Sequence, residues 1–218
     1  MRGIICIVCM MTATLASCTP RESNIVRYNN DGTEKPTVAL VPVIETVSSR
    51  LPWSLSKELT EEIYSRMVKA GMFYIPSRDA ILTHLAIRKD IMFSDIDFAQ
   101  EAPDAEFVVL FELLEHKEVP YVGQKISPVY PKDGKKTSAI MMTVRLKVLD
   151  LRSEMPRVVL QEVIHSNHHV GEGDSFRNYQ EIIWGSTGYR YTPMASAHAR
   201  LSKGIVKHIE AYITYAKN

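Results

Sequence analysis

Between Ile140 and Leu151 apolar and polar residues alternate, and no other run limits the fold as strongly. Ile140, Met142, Val144, Leu146 and Val148 fall on one face of an extended chain, and Thr143, Arg145 and Lys147 on the other. A period of two describes a strand with one face in a core and one in water, as in an antiparallel pair. Asp150 to Pro156 is turn-like, so Val158 to His168 is expected to return as the partner strand. The second half of the chain should therefore contain an antiparallel hairpin.

The first half alternates differently. Val38-Ala39-Leu40-Val41-Pro42-Val43 is a short apolar run suited to a buried strand, with Pro42 restricting its pairing. Ser54 can cap a helix in which Leu55, Leu59, Ile63 and Met67 repeat every four residues, joined by Tyr64 and Val68. Glu58, Glu61 and Glu62 near its start and Lys69 near its end suit the helix dipole, and Gly71 can stop it. Met72 to Ile75 is expected as a second strand. A helix beginning at Ser77 or Asp79 would carry Ile81, Leu82 and Leu85, and Phe107 to Phe111 would form a third strand. Strand and helix in turn predict an α/β fold, a mixed sheet with helices packed on it. The last helix, with Pro193 in its first turn, aligns Ala197, Leu201, Ile205, Ile209 and Ile213 on one face. With 45% hydrophobic and 23% charged residues, the stretch 37–218 can bury one core as a single domain.

The N-terminus has another character. Met1-Arg2-Gly3 precedes an apolar run of roughly fourteen residues, the pattern of a secretory signal peptide. The run is shorter than the ~20 residues that span a bilayer. It ends in Leu15-Ala16-Ser17-Cys18, which resembles the bacterial lipobox at all four positions. The resemblance implies that residues 1–17 are removed and that lipid is joined to Cys18. Two or three acyl chains, at about 0.8 kcal/mol per buried methylene, would hold the chain to a membrane. Thr19 rather than Asp after Cys18 implies the periplasmic face of the outer membrane. Cys6 and Cys9 form a C-x-x-C, but both lie inside the apolar run and would leave with it, so no redox role is expected. The polar, aperiodic residues 18–36 are expected to form a flexible tether with ends on the order of 20–25 Å apart.

Several functions are excluded by what the sequence lacks. A formal net charge of +1 gives no basic face for nucleic acid. No Walker motif occurs, and Gly171-x-Gly173 does not continue into G-x-G-x-x-G. Gly185-Ser186-Thr187-Gly188 has the wrong spacing for a nucleophile elbow. Glu112 and Glu115, in strand register, would face opposite sides and form no acid/base pair. His165, His168 and His169 would place two rings on one face and one on the other, without zincin spacing. No catalytic residue, metal or cofactor is therefore expected, apart from covalent lipid on Cys18.

Two segments exceed what strand connection needs. Lys117 to Thr137 carries Tyr121, Tyr130 and the basic residues Lys132, Lys135 and Lys136. Gly171 to Thr192 carries Trp184, Tyr189, Arg190 and Tyr191, residue types enriched where proteins bind one another. These aromatics either form a contact patch for a protein or glycan or cover a sheet edge.

From Thr37 to about Val170 the order of motifs resembles a group of envelope domains. The group comprises the amino-terminal domain of the translocation protein TolB, the lipoprotein activators of penicillin-binding proteins and the curli secretion-channel lipoprotein. The resemblance rests on Val38-Ala39-Leu40-Val41-Pro42, Gly71 to Arg78, Ala105 to Val109 and Val148-Leu149-Asp150-Leu151-Arg152. Asp104 departs from the usual Gly, and Lys117 to Thr137 lacks the alternating hairpins of a membrane pore. The resemblance implies a non-enzymatic module that binds or assembles other envelope proteins, with a second copy of the chain among its expected partners. The alternatives are a subunit of an oligomeric secretion complex, or an envelope hydrolase or metal-binding protein using the histidines.

Overall fold

The computed structural model describes residues 26–75, 98–122, 125–126 and 137–217. The expected helix after Ser77 lies outside them, as do Cys18, the apolar N-terminal run and Tyr130. Strand β1 (Val38–Leu40) and strand β2 (Ile44–Glu45) both run parallel to β3 (Phe107–Val122). On its other side β3 pairs antiparallel with β5 (Thr137–Asp150), and β5 pairs antiparallel with β6 (Arg157–Val170). The two-residue β4 (Lys125–Ile126) folds back on the end of β3. The result is a mixed six-stranded sheet with the expected hairpin in its second half.

Helix α1 (Leu55–Ala70) and the long α4 (Pro193–Lys217) cover the inner face of this sheet. The stripe Leu55, Leu59, Ile63 and Met67 meets Ala197, Leu201, Ile205, Ile209 and Ile213, and both pack on the even-numbered face of β5 from Ile140 to Val148. Ser54 accepts a hydrogen bond from the backbone N–H of Lys57, and Gly71 ends α1 at φ 68°, a left-handed conformation that costs glycine little. A smaller cluster on the outer face joins Val108, Leu110 and Leu149 to Phe98 and Ala102 around α2 (Phe98–Glu101).

Four expectations need correction. The stretch Met72 to Ile75 forms only an isolated bridge, Tyr74 to Thr37, with backbone hydrogen bonds from Val38 N–H to the Tyr74 carbonyl and from Tyr74 N–H to the Pro36 carbonyl. The third strand runs on from Phe111 to Val122, so Lys117 to Val122 is strand rather than loop. Its inward side there carries polar His116 and Glu118, which hide the alternation. Glu112 and Glu115 share the outer face: a bulge between Leu113 and Glu115 shifts the register, so that they pair with Arg145 and Thr143, two residues apart on β5. Residues 26–36 are not a free coil. Tyr28 bridges Glu34, and the Arg27 guanidinium lies over the Tyr74 ring at 5.7 Å.

Candidate functional site

The connection from β6 to α4 supplies the most distinctive surface. Between Gly171 and Thr192 it folds through turns into a short helix α3 (Thr187–Arg190), with Ser186 accepting a hydrogen bond from the backbone N–H of Tyr189. The aromatics divide. Tyr191 is 83% exposed and Ile183 76% exposed, and Arg190 is exposed between them. Trp184 is half-buried, with the Lys57 ammonium 5.4 Å from its ring centre. Tyr189 is buried, against the expectation of a surface contact: its hydroxyl donates to Glu58 Oε1. It packs edge-on against Trp53, 5.3 Å away, beside the start of α1.

Glu58 and His198 were not legible as site residues. Glu58 lies one turn after Leu55 on the apolar stripe of α1, and His198 lies one turn before Leu201 on that of α4. A polar residue on a buried stripe is the signal that could have found both. Glu58 is 4% exposed and His198 1%. The Trp53 indole N–H donates to Glu58 Oε2 at 2.6 Å, and His198 Nδ1 lies 2.5 Å from Glu58 Oε1. From β3, His116 brings its Nε2 to 2.9 Å from Nε2 of His198. Burial, with the facing His198, pushes His116 down to about 3, so its ring is neutral at physiological pH.

This polar network separates two clefts. One, of about 600 Å³, has His116, Tyr179, Arg50 and Arg177 among its walls. Burial, with the charge of Glu118, raises the Tyr179 hydroxyl to about 12, so it stays protonated. Phe176, at the rim of this cleft, adopts a left-handed φ of 53°, rare for an aromatic residue, and its N–H donates to Glu118 at 2.6 Å. The other cleft, of about 640 Å³, has Glu58, Glu61, Glu62, Trp184 and Arg190 among its walls.

The remaining candidates lie elsewhere. Tyr121 is half-buried on the outer face of β3, edge-on to His169 at 4.7 Å, whereas Trp184 and Tyr189 lie on the helix side. His165 and His169 share the outer face of β6, with His165 Nδ1 3.1 Å from the Thr143 hydroxyl, and His168 points to the inner side. Among the described residues no three His, Cys, Asp or Glu side chains are placed to hold a metal ion. No described helix is long and apolar enough to cross a membrane.

Residues 24–217 match the model of a family of unknown function, DUF7499. The chain belongs to that family. No match is found among curated proteins. Among solved structures, the hypothetical protein CT253 from Chlamydia trachomatis is similar to this DUF7499 member at 26% identity and a TM-score of 0.60, over 82% of this chain and 98% of that one. Protein XCC0632 from Xanthomonas campestris, of family DUF330, matches at 10% identity and a TM-score of 0.48, over 88% and 94% of the two chains. Lipoprotein GNA1162 from Neisseria meningitidis matches at 10% identity and a TM-score of 0.41, over 80% and 97%.

Proposed function

We propose that this protein is a lipid-anchored component of the bacterial cell envelope whose folded part binds other envelope proteins without catalysis. The observation that carries the binding half is the split within residues 183–191. Tyr189 is buried and bonded to Glu58, while Ile183, Arg190 and Tyr191 stand exposed beside it. A short apolar and cationic surface on a fixed support loses little freedom on binding, and its residue types are those of protein-interface hot spots. The anchoring half is supported by the lipobox resemblance at Leu15 to Cys18, with Thr19 in favour of the outer membrane. The motif order shared with the TolB-like group supports a role in binding or assembly, a second copy of the chain included.

Two measurements test the two halves separately. Cells fed a labelled fatty acid should label the wild-type chain and not Cys18→Ala. In crosslinking of intact cells, the double variant Ile183→Ala/Tyr191→Ala should stay folded and lose partners that the wild type recovers. An unchanged set of partners would overturn the assignment of this surface.

A further inference from the structure

Four stretches far apart in the chain meet at one end of the sheet. In the turn after β5, Arg152 grips Asp150 with two nitrogens and donates to the Ala216 carbonyl in the last turn of α4 at 2.7 Å. Lys217 bonds the Glu34 carbonyl, Tyr28 bridges Glu34, and Arg27 lies over the Tyr74 ring. The Ser153 hydroxyl donates to the Met155 carbonyl at 2.7 Å and closes the turn. These contacts fix the end of the domain, yet they leave apolar side chains in water. Met155 is 77% and Tyr215 82% exposed, and Val26, Tyr28, Val158 and Tyr212 are exposed at the same end.

The entry of the chain decides what meets this surface. Val26 stands eight residues after Cys18, and eight residues reach about 28 Å at most. Ile183 and Tyr191 are exposed too, but they adjoin the first turn of α4, at the opposite end of that helix. A surface on an anchored chain meets the membrane at an effective concentration on the order of millimolar, so contacts too weak to hold a free domain suffice. Tyrosine suits the border between acyl chains and headgroups, its ring apolar and its hydroxyl polar. Charge neither drives nor opposes the contact. Arg27 is paired with Glu34 and Arg152 with Asp150, and exposed Glu154 and Arg157 flank Met155.

We propose that this end of the domain lies in the interfacial layer of the bilayer that holds the Cys18 lipid, with Met155 and Tyr215 deepest. Its ligand is the border between headgroups and acyl chains of neutral phospholipid, not an anionic headgroup. The contact rests on the anchoring half of the proposed function and is independent of the surface at Ile183 and Tyr191. Docking at this end gives the domain one orientation on the membrane instead of many.

Brominated phosphatidylcholine quenches a tryptophan that touches acyl chains, and Tyr215 and Tyr191 are both exposed enough to be replaced without unfolding the domain. The full chain, as cells process it, is placed in vesicles of this neutral lipid. Beyond the wild-type signal of Trp53 and Trp184, Tyr215→Trp should be quenched about threefold more than Tyr191→Trp. Adding Met155→Asp to Tyr215→Trp should lower that excess by about half. Equal quenching at the two positions would overturn the proposal, and is the result expected if a protein or a second copy covers this end. Quenching of Tyr215→Trp that requires added anionic lipid would overturn it as well. The anchor has its own readout. A chain that leaves the vesicles refutes anchor and docking together, whereas a chain that stays on them with equal quenching refutes the docking alone.

Discussion

The hairpin β5–β6 and the segment 171–192 are both held against helices, but by different means. The hairpin buries ten of the fourteen residues of β5, every even-numbered one among them, and exchanges backbone hydrogen bonds along its length. The segment has one short helix and few backbone bonds, and hangs on a handful of side chains: Tyr189 on Glu58, Phe176 on Glu118, and Gln180 on the Arg50 carbonyl. Distributed burial is robust to the loss of one polar contact and sensitive to one buried charge. A segment fixed by a few polar bonds has the opposite profile.

The sharpest way to break the hairpin is a charge in its core. Val144 is 1% exposed, and Val144→Asp should cost roughly 4–5 kcal/mol, enough to unfold a marginal domain in a urea melt. Retained wild-type stability would mean the inner face of β5 is misassigned. The segment should break at Glu58. Glu58→Gln removes the buried carboxylate that the Trp53 indole, the Tyr189 hydroxyl and His198 share, and a loss of about 2–3 kcal/mol is expected, with faster exchange confined first to residues 179–192. Uniform loosening of the whole sheet would argue against separate modes of attachment.

Acid should distinguish the two regions next. Native His116 is held neutral down to about 3, whereas an unfolded histidine titrates near 6.5. The unfolded chain therefore binds more protons between those values. The contribution of His116 is complete above 6.5 and is lost as pH falls toward 3, at no more than about 1.4 kcal/mol per pH unit. Asp150, held low by hydrogen bonds from Arg152, adds a loss only below about pH 4. His116→Gln should flatten the stability curve above that point and leave the Asp150 part intact; an unaltered curve would remove His116 from the account. The smallest effect is expected at the exposed tip. Tyr191→Ala should change stability by less than about 0.5 kcal/mol, and a larger loss would show that Tyr191 is packed rather than displayed.

The same contrast explains what the sequence made legible. Helices α1 and α4 and the faces of β5 follow from spacing, because burial repeats with the period of the element. Ser54 and Gly71 mark the ends of α1 because capping is local chemistry. The far half of β3 was missed because His116, Glu118 and Pro120 interrupt the apolar pattern; their places depend on partners far along the chain. Tyr189 and Tyr191 look alike in the sequence, two residues apart, and only contact with Glu58, 131 positions away, separates a buried anchor from an exposed tip. The outer-face pairing of Glu112 and Glu115 turned on one bulged residue, which no periodicity announces.

Helix α4 also sets a distance. At 25 residues and 1.5 Å per residue it is about 37 Å long. Its second turn carries His198 and its start adjoins Tyr191, whereas at its far end the Lys217 ammonium bonds the Glu34 carbonyl, beside the strand-like residues that lead into β1. The helix therefore works as a spacer arm: whatever grips the chain ahead of residue 34 holds the Tyr191 tip a helix length away, clear of that attachment point.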